Sequence, residues 1–131
     1  MAIRNDYLLD MIQTFTQSIE RATEAERGAL SRDALDDYYA VVGRVLDMPA
    51  EAVLELAPDS LVTMMQISAV DERLAVYMVY VLMRISDVLA GENDPLADVR
   101  RAQACAIADA YGFTPDTVPP EVQDTLEAQG Q

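Results

Sequence analysis

Asp71-Glu72-Arg73-Leu74-Ala75-Val76-Tyr77-Met78-Val79-Tyr80-Val81-Leu82-Met83-Arg84-Ile85-Ser86-Asp87-Val88-Leu89-Ala90-Gly91 is the stretch on which the fold turns. Leu74, Tyr77, Met78, Val81, Ile85, Val88 and Leu89 recur at the three- and four-residue spacing of one helix face. Ala75, Val76, Val79, Tyr80 and Leu82 fill much of the opposite side. A helix that is apolar nearly all round sits at the centre of its fold or under another chain. Asp71 is placed to cap it and Gly91 to follow its end, so the pattern predicts a central helix over 72–90. Its most apolar run, Leu74 to Met83, is ten residues long between two arginines. That is half of the roughly 20 residues needed to cross a bilayer, so the run reads as buried core.

The flanking sequence is helical as well. Towards the N-terminus, Leu8, Ile12, Phe15, Ile19 and Ala22 form a second stripe within a helix over 3–27, widened by Tyr7 and Met11 and ended at Gly28. Ser31 is placed to cap the next helix, whose inner face is Leu35, Tyr38, Tyr39, Val42, Val45 and Leu46. Gly43 within it weakens the helix by about 1 kcal/mol relative to alanine, which a close contact would explain. Pro49 and Pro58 delimit two short helices, about 50–56 and 59–67. Towards the C-terminus, Asp94-Pro95 opens a helix with Leu96, Val99, Ala102, Gln103, Ala106, Ile107 and Ala110 facing inward, and Gly112 and Pro115 stop it. A last helix over about 119–128 is anchored by Val122 and Leu126. No strand pattern or hairpin turn signal interrupts this series. The expected class is all-α: six or seven helices in antiparallel hairpins around 72–90, with no sheet. Residues 1–115 are expected to form one helical domain and 116–131 an acidic C-terminal extension with a short helix.

Composition removes many chemistries. The 131 residues contain no histidine, tryptophan or lysine and a single cysteine, Cys105. Histidine-dependent base catalysis, Ser-His-Asp and Cys-His nucleophiles, Schiff bases and the phosphate-loop lysine are therefore excluded. A disulfide within the chain and a cysteine zinc cluster are excluded too. The net charge is −14, with nine arginines against 23 carboxylates, spread along the whole chain. Such a field repels phosphate backbones and anionic lipid and suits a basic partner. Neither nucleic acid nor a membrane is expected as a partner. No basic stretch followed by a signal-length apolar run opens the sequence and no lipidation signal ends it, so the expectation is a cytoplasmic protein.

Few residue groups point to a site. Asp33, Asp36 and Asp37 lie at i, i+3 and i+4, where their carboxylates share a helix face and form the candidate metal ligands. The plain reading of that cluster is a solvated face. Arg100-Arg101 is the one adjacent cation pair, and arginine forks suit a carboxylate or phosphate, so an anion site is the sharper reading; the plain one pairs Arg101 with Asp98 and leaves Arg100 on the surface. Cys105, on an alanine-rich helix with no histidine near it, is expected to be a buried structural thiol. The tyrosines and methionines at inner spacings read as core, with a peptide or apolar-ligand groove as the sharper alternative.

Two resemblances accompany this reading. Asn5-Asp6-Tyr7-Leu8-Leu9-Asp10-Met11-Ile12 through Phe15, Pro58-Asp59-Ser60-Leu61 and Val70-Asp71-Glu72-Arg73-Leu74 resemble the helix starts of a family of small bacterial all-helical proteins, a domain of unknown function. The likeness spans residues 4–112 and implies a long N-terminal helix, shorter helices and a final helical hairpin. It implies no activity and transfers no functional residue. The hairpin over 73–111 is loosely similar to degenerate tetratricopeptide-like packing. The functional expectation is a non-catalytic helical interaction or structural module that self-associates and needs no cofactor. The alternatives are a carboxylate-dependent metal-binding protein or hydrolase at Asp33, Asp36 or Asp37, and an acidic nucleic-acid mimic that binds a basic protein.

Overall fold

The apolar 71–91 stretch is the most extensively covered part of the architecture, as its composition leads one to expect. A computed structural model describes residues 2–27 and 31–129, with side chains placed over 8–24 and 34–124 and at Glu127. Among the described residues there are seven helices and no strand. They are α1 (Ala2–Arg27), α2 (Ser31–Leu46), α3 (Ala50–Leu54), α4 (Pro58–Ile67), α5 (Glu72–Gly91), α6 (Leu96–Tyr111) and α7 (Pro120–Gln129). Gly28 and the side chains of Tyr7, Ser31, Asp33 and Leu126 lie outside the described residues.

The backbone N–H of Arg73 donates to Asp71 Oδ1 at 2.9 Å, so Asp71 caps α5. Over its most apolar 18 residues α5 has a mean hydropathy of 1.6, and by length and composition alone it could cross a bilayer. Instead, 61% of that window is buried inside the chain. α6 and α2 cover α5 most extensively, and α1 touches it over a smaller area. α6 folds back along α5: Ser86 Oγ donates to the Ala97 carbonyl at 2.7 Å near the turn, and Tyr111 Oη donates to the Val70 carbonyl at 3.1 Å at the far end. α1 and α2 pair in the same antiparallel sense, with Arg21 Nε 3.3 Å from Asp37 Oδ1.

The α1 stripe read from sequence is the buried one: Leu8, Ile12, Phe15, Ile19 and Ala22 are all in the core. Phe15 meets Tyr77 edge-to-face at 5.8 Å. Tyr77 Oη shares a 2.6 Å hydrogen bond with Thr16 Oγ1 and donates to Glu121 Oε1 at 3.3 Å. Burial pushes the Tyr77 hydroxyl up from 10.0 to about 12; Thr16 opposes the shift and Glu121 adds to it. α7 packs on α1, and its Val122 is fully buried in the same core cluster.

Helix ends follow one device that glycine placement predicts only in part. Asp47, Ala69, Asn93 and Gly112 all have left-handed φ, of 53°, 53°, 60° and 82°. After each, the next N–H reaches back to an earlier turn: Met48 to the Gly43 carbonyl, Val70 to Met65, Asp94 to Leu89 and Phe113 to Ala108, at 2.9–3.0 Å. These are Schellman stops, in which a left-handed residue lets the chain satisfy the last carbonyls. Gly91 does not lie past the end of α5 as expected; it is the last helical residue, and Asn93 makes the turn. Gly43 has its explanation here. A Cβ at Gly43 would lie 2.8 Å from the Met48 carbonyl oxygen and 3.3 Å from the Ala50 nitrogen, because the stop folds back over it.

Candidate functional site

The site begins with a missing donor. α3 is only five residues long, and a helix leaves its last carbonyls without intrahelical partners. The Leu54 carbonyl would accept from the N–H four residues on, but that residue is Pro58, which has none. Leu54 therefore presents a carbonyl without its ordinary helical partner, and the half-buried Leu56 carbonyl lies beside it in the α3–α4 corner. α6 supplies the donors. Arg100 Nη1 donates to Leu54 O at 2.8 Å, while Gln103 Nε2 donates to Leu54 O at 3.1 Å and to Leu56 O at 2.8 Å. Arg100 Nη1 also donates to Gln103 Oε1 at 3.0 Å, closing the cluster. Gln103 is fully buried, and Arg100 is 8% exposed.

This orientation corrects the sequence reading of α6. The inward residues are Ala97, Arg100, Gln103, Ala104, Ile107 and Ala108. Of the expected face only Gln103 and Ile107 are buried; Leu96 and Val99 are 46% and 40% exposed, and Ala102 and Ala110 are exposed. The helix is turned by about 100°, one residue's worth of rotation. Small alanines let it approach its neighbours, and two polar side chains enter to meet the orphan carbonyls. Arg100 is thus buried and not on the surface. Arg101 pairs with Asp87 at 3.8 Å and not with Asp98. Cys105 is exposed, not buried, because it lies on the outer side of the rotated helix.

Burial lowers the Arg100 guanidinium from its ordinary value, with Tyr39 and Asp94 pushing the other way. An arginine so lowered remains cationic at neutral pH. Both Arg100 hydrogen bonds leave through Nη1, and its buried Nε has no partner among the described residues. Arg100 lines a groove of about 540 Å³ with Tyr39, Ala50, Leu54, Leu96 and Val99, and with Glu51 and Glu55, both exposed. A second cleft of about 460 Å³ runs between α1, the end of α2 and the α4–α5 turn, lined by Leu8, Met11, Val45, Ala69 and Leu74 among others. It contains neither a buried cation nor an exposed large apolar side chain. The α3–α6 groove has both and is the candidate site.

Of the expected metal ligands, Asp36 is exposed, Asp37 is engaged by Arg21 at 3.3 Å, and the Asp33 side chain lies outside the described residues. Among the described residues no three acidic or thiol side chains converge in a way that could hold a metal ion. Sequence reasoning places Gln103 inward and offers Arg100 with Arg101 as an anion site, but it expects Arg100 on the surface and gives no sign of the Leu54 and Leu56 carbonyls. The available signal was Pro58, which removes the N–H four residues beyond Leu54 and so leaves that carbonyl without its ordinary helical donor. In comparisons with known proteins, no family model, curated protein or solved structure matches this chain.

Proposed function

We propose that this chain is a non-catalytic interaction module that docks a basic, partly apolar segment of another protein in the α3–α6 groove. The observation that carries this reading is the pair Leu96 and Val99, large apolar side chains left 46% and 40% exposed on the wall of a groove of about 540 Å³. Among the described residues most of the apolar surface of α1 and α5 is buried inside the chain, Leu9 of α1 excepted at 57% exposed. Charge selects the occupant. Glu51 and Glu55 line the groove, and the chain as a whole carries −14. A second copy would bring the same sign, whereas a segment with arginine or lysine beside apolar residues complements both features. The same field disfavours nucleic acid and anionic lipid as partners. The reading rests on the groove and not on the family resemblance, which carries no functional residue.

The test is an amide chemical-shift titration of the whole protein with a short peptide of alternating leucines and arginines. Shifts concentrated at Leu54, Leu96 and Val99, and lost in Val99→Asp, are expected. Shifts spread over the acidic surface, or absent, refute the reading. Light scattering on the same samples addresses self-association: a dimer abolished by Val99→Asp would make a second copy the occupant and overturn the choice of a basic partner.

A further inference from the structure

We propose that the α3–α6 groove binds a carboxylate, and that its ligand is the free C-terminus of the docked segment, ending in an apolar residue with basic residues upstream. The inference rests on the docking reading above and adds the chemical group that the groove recognises. Arg100 is nine-tenths buried, yet no carboxylate among the described residues forms an ion pair with it. Its two hydrogen bonds to neutral oxygens use Nη1 alone. Nε has no partner, and a buried donor on a cation is costly to leave unmade. The guanidinium edge that holds Nε is one that a carboxylate can grip with two parallel hydrogen bonds. The clamp to Leu54 and Gln103 holds the guanidinium by its Nη1 end and leaves the Nε edge for a ligand that displaces the side chains covering it.

The groove walls define the rest of the ligand. Leu54, Leu96 and Val99 offer apolar surface to a terminal side chain. Glu51 and Glu55 line the same groove and oppose a bare anion, more so a doubly charged phosphate. A ligand that carries cations next to its carboxylate satisfies both signs, as a basic segment ending in a free carboxylate does. Nε is sealed from solvent, so entry requires a rotamer change among the groove side chains, of which Leu96 and Val99 are exposed.

The experiment follows the Arg100 Nε–H resonance in the whole protein. The probes are a tetrapeptide of two arginines, an alanine and a C-terminal leucine, as the free acid and as the C-terminal amide, and free leucine. The free acid is expected to shift the Arg100 Nε–H signal, and the amide to bind at least about tenfold more weakly, for loss of a charge-assisted bidentate contact. Equal affinity of acid and amide overturns the carboxylate inference and leaves the docking reading standing. No shift in the groove with either peptide overturns both. Free leucine binding as tightly as the tetrapeptide overturns the choice of a peptide end. Arg100→Lys keeps the charge, loses the fork and should erase the acid-over-amide preference. Because Arg100 also serves the fold, Val99→Glu provides a second variant that leaves the clamp intact. Its added carboxylate on the groove wall repels the ligand's carboxylate and attracts its arginines in acid and amide alike, so the acid-over-amide preference should fall severalfold, and an unchanged preference would count against the site.

Discussion

Replacing Gln103 with methionine isolates the polar clamp, because methionine nearly matches glutamine in volume and leaves the packing of α6 on its neighbours in place. The variant removes three hydrogen bonds: those from Nε2 to Leu54 O at 3.1 Å and Leu56 O at 2.8 Å, and the one from Arg100 Nη1 to Oε1 at 3.0 Å. Leu54 O keeps the bond from Arg100, whereas Leu56 O loses its side-chain partner. A fully buried carbonyl left unmade costs about 1–3 kcal/mol; the half-buried Leu56 carbonyl falls at the low end of that range, and the lost bond on the buried Arg100 cation adds about 1.5–3 kcal/mol. The more apolar side chain at a fully buried position returns roughly 1 kcal/mol. The net expectation is a destabilisation of about 1.5–3 kcal/mol. Urea unfolding followed by far-UV circular dichroism reads it as a fall of about 1–2 M in the midpoint with the slope unchanged. A loss under about 0.5 kcal/mol would mean that water already reaches these carbonyls, and the account of why α6 turns Arg100 and Gln103 inward would fail.

Three further outcomes follow from features described above. Gly43→Ala should destabilise by about 1–3 kcal/mol despite the better helix propensity of alanine, because the new Cβ meets the Met48 and Ala50 backbone; a more stable variant in thermal unfolding would contradict the contact. Ala69→Gly should stabilise by about 1 kcal/mol, raising Tm by about 4 °C, by relieving the left-handed strain at φ 53°; calorimetry showing no rise would refute it. Tyr77 ionises at about 12 in the folded chain, above its ordinary 10.0, so the unfolded state loses its proton first. Stability should accordingly fall as pH rises through 10 towards 12, by about 1 kcal/mol at pH 11. Comparison of urea midpoints at pH 9 and 11 for the native chain and Tyr77→Phe checks this: a pH loss equally large in the variant would exclude Tyr77 as its source.

What the sequence discloses, and what it conceals, divides along local and distant causes. α1 and α5 are legible because their buried faces repeat without interruption, and Leu8, Ile12, Phe15, Ile19 and Ala22 all reach the core. The cap at Asp71 and the stop at Gly112 are legible because both use the residue type that the backbone position favours. The stops at Asp47, Ala69 and Asn93 are harder to see because non-glycine residues take the left-handed turn, with Ala69 giving no chemical sign of it. The rotation of α6 escapes a pattern reading for a different reason. Leu96 and Val99 are more apolar than Ala97 and Arg100, so hydrophobicity ranks the wrong face first. What reverses the ranking is the acceptor created by Pro58, in another helix. The candidate groove inherits that blindness, since Arg100 enters it only after the rotation.

The clamp also binds the order of α3 to that of α6. Five residues are too few for a helix to persist unaided in water. Its carbonyl end is completed by donors 46 to 49 residues further along the chain, on an element that docks mainly against α5 and α4. The order of α3 is thus a tertiary property, supplied by its packing on α2 and by the α6 donors. α2 packs against α3 as well, so opening of α6 would strip the α3 corner of its polar completion while leaving its contact with α2. If the proposed carboxylate binds at Arg100, linkage requires that whatever it does to the order of residues 50–56, that order does in return to its affinity.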